Sequence, residues 1–203
     1  MPLFLLAVGL GLATGYVAGG RLAALGRRPL SGSLFVGLAL ASEVVLGELS
    51  RRGHLDTAWR AGVVVSAELA VGLFLLRNRR RGERRLSLLL IALGWAANLV
   101  VMARYGAMPV SASGLRRAGL AGLAVSRGQL GKHLLTSKTG GLYLLSDWIP
   151  LPALHTVASP GDLAMALGIA ALVAGGMRKH PGSPARAARA HSGEQTALSP
   201  PPF

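Results

Sequence analysis

The 203-residue sequence contains no cysteine, which excludes disulfides, thiolate catalysis and Cys-ligated zinc or iron–sulfur centres. Acids are scarce. Only 8 Asp+Glu stand against 22 Lys+Arg, and charged residues of either sign make up 15% of the chain. With 51% hydrophobic residues and 28 Gly, that scarcity belongs to the membrane class rather than the disordered or soluble classes. Two chemical signatures are missing as well. No H-E-x-x-H or similar spacing marks a metal set, so no metal ligands are assigned, and no G-x-S-x-G elbow supports a serine hydrolase. Nothing in the residues names a cofactor.

What is present is a formal net charge of +14. The arginines come in short runs between apolar blocks, with no basic face and no nucleic-acid recognition motif. They are therefore read as a topology signal and not as a nucleic-acid interface. The apolar blocks predict an all-α, polytopic membrane helix bundle of about five transmembrane helices, near 2–20, 30–49, 58–76, 86–103 and 161–177. The first block has no basic residues before it and is followed by Arg21, Arg27 and Arg28. It is expected as a retained helix, not a signal peptide. Gly11, Gly15 and Gly19 recur every four residues, so they line one helix face and let a neighbouring helix approach closely. Ser31 or Ser33 suits the start of the second helix. Two acids, Glu43 and Glu68, fall inside apolar blocks, where a carboxylate is costly and is a functional candidate by default. Asn98 is expected to hydrogen-bond another helix.

Between the fourth and fifth blocks the composition changes. Pro109 breaks the chain after the fourth helix. Ser111 or Ser113 can cap the segment beyond it, and 112–131 predicts an interfacial or re-entrant helix because it is short and carries Arg116, Arg117 and Arg127. The whole of 104–160 is expected as an extracytoplasmic helix-loop segment. It ends at Ser159-Pro160-Gly161-Asp162, where Ser159 fits a helix N-cap, Pro160 the first turn and Asp162 the positive end of the helix dipole. Residues 1–178 form the helical domain, and 179–203 a disordered basic tail. Loops on one side carry 3, 6 and 4 Lys+Arg close to helix ends; the other side has 3, and 6 spread over 104–160. The richer side is cytoplasmic. This expects a multi-pass cell-membrane protein with its N-terminus outside and its tail inside.

Met108-Pro109-Val110-Ser111, then His133, then Leu145-Ser146-Asp147-Trp148-Ile149-Pro150-Leu151-Pro152, then Ser159-Pro160-Gly161-Asp162 occur in that order. Together they resemble the bacterial membrane family DUF5317, a domain of unknown function whose pattern is G-M-P-V, a following His, L-G-D-x-I-P-L-P and S-x-G-D. The opening helix and Gly19 to Leu22 also fit. Tyr105-Gly106-Ala107 stands where the family tends to have Asn-Gly-Gly, and Ser146 replaces the usual Gly. The resemblance implies a membrane protein and no particular activity.

His133, Asp147, His155 and Asp162 are the titratable groups gathered outside the basic connectors. His133 and Asp147 are the catalytic candidates. Asn98, Met108, Pro109, Ser111, His133, Asp147, Ser159 and Asp162 are the candidate ligand-binding set. Three functions are compatible with these residues. The first is a membrane protein whose outward-facing polar pocket binds a lipid or small ligand. The second is a membrane enzyme acting on an amphiphilic or lipid-linked substrate, with His133 as base and Asp147 orienting it or holding a metal. The third is a small proton-coupled transporter using Glu43 and Glu68. The bilayer is the expected partner, and a homo-oligomer is compatible with each.

Overall fold

The computed structural model describes residues 2–27, 30–51, 57–79, 84–122, 129–130, 133–137 and 140–178. The predicted tail at 179–203 lies outside them. Helices stand at each apolar block: α1 (Pro2–Val17), α2 (Ser33–Arg51), α3 (Thr57–Asn78), α4 (Arg85–Tyr105) and, after a short α5 (Ala112–Arg117), α6 (Pro160–Met177).

The chain is mostly helical, and two of these helices, α4 and α6, are long and apolar enough to cross a membrane. The first helix is shorter, at 16 residues. Part of the side chains of α2 and α3 lies outside the described residues. In each of α4 and α6 only 33% of the apolar window is buried within the protein. A core helix of a soluble domain would be hidden by its neighbours. These helices instead turn Leu89, Leu93, Val100 and Leu167 outward.

Small residues set the packing. α6 runs between α1 and α4, and both neighbours approach it at glycines. A Cβ on Gly11 would lie 2.6 Å from the Ala170 carbonyl oxygen, and one on Gly15 would lie 2.5 Å from Met177 Sδ. The predicted glycine face therefore exists at these two positions, with Met177 fully buried against it. Gly19 leaves the face: it sits at φ +73 in the turn after α1, and Gly20 takes the close contact with Met177. On the other flank, a Cβ on Gly161 would collide with Asn98 Oδ1 and with the Gly94 carbonyl. Phe74 and Leu75 of α3 join Leu88 and Ile91 of α4 in a cluster that Met165, Ile169 and Leu172 of α6 close.

The α2–α3 hairpin is packed through Ala39 against Ala67 and Ala70. Its start is tied by Asn78, which is fully buried. The Asn78 amide donates to the carbonyls of Ser31 (2.8 Å) and Phe74 (2.8 Å) and accepts from the Ser31 N–H (3.0 Å).

The segment after α4 corrects the all-α expectation. It is not a helix-loop. β1 (Met108–Ser111), β2 (Gln129–Leu130) and β3 (His133–Thr136) form a small sheet in the order β1-β3-β2, with β1 and β3 parallel. β4 (Ile149–Leu151) and β5 (Thr156–Ala158) form an antiparallel pair. The helix is stopped by Gly106, left-handed at φ 72 with its N–H on the Met102 carbonyl, and not by Pro109, which lies beyond it as an extended residue of β1. The helix predicted over 112–131 ends after six residues. Gly119, at φ +79, turns the chain left-handed, and the Leu120 N–H closes onto the Leu115 carbonyl at 2.9 Å. This is a Schellman stop. Residues 123–128, within that predicted helix, lie outside the described residues.

Candidate functional site

β1 is the spine of the site. On one edge it pairs with β3 in the register Met108↔His133 and Val110↔Leu135. On the other it holds Asp147, whose N–H donates to the Pro109 carbonyl (3.0 Å) and whose carbonyl accepts from the Ser111 N–H (2.8 Å). A proline is tolerated here because that edge needs only its carbonyl. Paired strand residues share a face and alternate residues return to it. His133 beside Met108 and Asp147 beside Val110 therefore rise on the same side. The buried Met108 and Val110 side chains lie between them as a floor.

Across that floor His133 Nδ1 comes within 3.2 Å of Asp147 Oδ2. The carboxylate is nearly enclosed, with its side chain 5% exposed, while the imidazole is 38% exposed. The distance is that of an ion pair whenever the ring is protonated. The ring nitrogen makes no aligned hydrogen bond, so the pair is a close contact rather than a directed N–H···O bond.

The other predicted residues divide clearly. Ser159 caps α6: its hydroxyl accepts from the Asp162 N–H (2.9 Å), while Asp162 Oδ2 accepts from the Ser159 N–H (3.1 Å). This reciprocal box matches the predicted cap. Asn98 joins it from α4, donating to Asp162 Oδ1 (2.8 Å) and accepting from the Ser159 hydroxyl (2.9 Å). The two helices are thus stitched by one polar network, and Asn98, Ser159 and Asp162 are occupied in it. Ser111 caps α5 through the Gly114 N–H (3.2 Å). Met108 and Pro109 are buried framework.

His155 belongs to the β4–β5 turn at φ 46. Of the four gathered titratable groups, His133 and Asp147 are the two in contact. Among the described residues no three His, Asp or Glu side chains converge as a metal-binding group. Glu68 is half-buried on α3, and the Glu43 side chain lies outside the described residues.

Sequence reasoning missed the Tyr105–Tyr143 stack, with ring centroids 4.7 Å apart. It also missed the hydrogen bond from Ser146 Oγ to the Tyr143 carbonyl at 2.6 Å. The stack binds the 3₁₀ turn Gly141–Leu145 to the end of α4, and the hydrogen bond closes that turn on itself just before Asp147. The signal available was the spacing Tyr143-x-x-Ser146, which is a common local turn.

Over residues 29–174 the chain matches the model of a family described as "Family of unknown function (DUF5317)". The chain belongs to this family. The DUF5317 match takes in the His133–Asp147 pair and the Asn98–Ser159–Asp162 network, and begins after α1, so Gly19 to Leu22 fall outside it. No curated protein and no solved structure matches the chain.

Proposed function

We propose that this DUF5317 protein is a multi-pass membrane protein whose segment between α4 and α6 forms an outward-facing cap. The cap binds a lipid headgroup or a small polar ligand at His133 and Asp147. In this reading α1, α2, α3, α4 and α6 cross the bilayer, the N-terminus is outside and the tail is cytoplasmic. The outward apolar surface of α4 and α6 and the basic runs at alternate loops support the crossing pattern.

One observation carries the ligand reading. A half-open imidazole stands against an almost enclosed carboxylate on a buried apolar floor. Enclosing a carboxylate is costly unless it is paired, and here one neighbour within ion-pair distance is a side chain that is partly exposed. The arrangement presents a partly exposed imidazole held against a neighbouring carboxylate.

An enzyme using His133 as base would be built the same way. It is the second reading, because the nearby hydroxyls of Ser111, Ser146 and Ser159 are committed to caps and backbone. Mass spectrometry of molecules retained on detergent-purified protein tests the proposal. A lipid or small molecule is expected on the wild type and on Glu68→Gln, and is expected to be lost from His133→Ala and Asp147→Asn. Retention by all four proteins, or loss confined to Glu68→Gln, would move the site away from the cap.

A further inference from the structure

The 3₁₀ turn Gly141–Leu145 has two sides. Tyr143 stacks on Tyr105, and Leu145 packs on the cluster of Val101, Met102 and Met108, so both hold the turn against the last turns of α4. Leu144, between them, is thrown outward and is 58% exposed. Trp148 joins it: its indole Nε1–H donates to the Leu144 carbonyl at 2.8 Å, and the ring remains 45% exposed. A soluble surface rarely displays a Leu and a Trp side by side at a built turn, because together they leave apolar area in water. The polar end of the indole is already satisfied, so its apolar body is what the protein offers.

We propose that Leu144 and Trp148 form an anchor that inserts into the headgroup–acyl boundary of the outer leaflet. The inference rests on the membrane-spanning reading of α4 and α6 and adds to it where the cap sits. Three observations choose lipid as the occupant. The turn is fastened to the C-terminal end of α4, where a crossing helix leaves the hydrocarbon. The helices beside the turn expose apolar side chains of their own, Leu93 and Val100 on α4 and Leu163 and Leu167 on α6. Arg104 lies over the Tyr105 ring at 5.5 Å, placing a cation and stacked tyrosines at the same level, as at membrane–water interfaces. Asp147 immediately precedes Trp148, so an anchored Trp148 holds the His133–Asp147 pair close to headgroups. This favours an amphiphile over a freely soluble ligand.

The chain has 3 Trp and no Cys, which makes the test direct. Full-length protein carrying Trp59→Phe and Trp95→Phe is reconstituted into phosphatidylcholine vesicles brominated at shallow or deep acyl positions. Trp148 emission is expected to fall strongly with shallow bromines, less with deep ones, and little with aqueous iodide. Quenching by iodide and not by bromolipid would overturn the anchor. So would protection from both quenchers, which would mean that a second copy covers the pair. Should the double variant fail to fold, Leu144→Cys carrying a nitroxide gives the same information. Its relaxation is expected to respond to oxygen more than to a water-soluble nickel chelate, and the reverse order overturns the anchor. Carbonate extraction of the same membranes separates the two failures. Protein released by carbonate refutes the membrane reading itself, whereas protein retained with an iodide-accessible Trp148 refutes only the anchor.

Discussion

Gly161 is placed where any side chain would strike both Asn98 Oδ1 and the backbone of Gly94. The close approach of α4 and α6 is what lets Asn98 reach Ser159 and Asp162. Gly161→Ala is expected to destabilise the protein by about 1–3 kcal/mol, the usual cost of overfilling a tight contact, seen as a lower unfolding midpoint in detergent. Adding Asn98→Ala is not expected to rescue it, because the Gly94 carbonyl still obstructs the methyl group and the Ser159 hydroxyl loses its acceptor. The cap formed by Ser159 and Asp162 was legible in the sequence because its bonds span three residues. Asn98 was expected to bond another helix, but its partners stand 61 and 64 residues away, and no local rule names them. His133 and Asp147 were picked out by residue type and by their place in the family pattern; that they touch depends on β1 lying between them.

Among the elements, the five long helices were legible, while the extent of α5 and the strands were not. Sixteen to twenty-two residues of apolar helix give a long signal, whereas β1 and β3 have four residues each and β4 and β5 three. Over so short a run a two-residue period cannot be told from an irregular loop, and the proline at 109 pointed toward a break. Asn78 was hidden for a different reason. It lies in the run Arg77-Asn78-Arg79-Arg80-Arg81, where charge dominated the reading, yet its side chain is fully buried and bonded to the chain before α2. Asn78→Leu leaves the Ser31 N–H and carbonyl without that partner. A loss of about 1–3 kcal/mol is expected, concentrated in the α2–α3 hairpin. Amide hydrogen exchange checks this: faster exchange is expected in α2 and the end of α3, with α1, α4 and α6 unchanged.

At the scale of the molecule, the described residues of α1, α4 and α6 turn many apolar side chains outward, while the Asn98–Ser159–Asp162 network lies between helices. That inversion follows from sequence composition, but the folding of 104–160 into a sheeted cap does not, because it depends on pairings between β1, β3 and Asp147 that are distant in the chain. Binding at His133 and anchoring by Trp148 both require that the helices be in the bilayer and the cap outside it. Ser137, exposed just after β3, reports on this directly. A single Ser137→Cys in the cysteine-free chain, treated in intact cells with a membrane-impermeant thiol reagent, is expected to label fully before lysis. Labelling only after lysis would put the cap on the cytoplasmic side and contradict the proposed orientation and the outward-facing site.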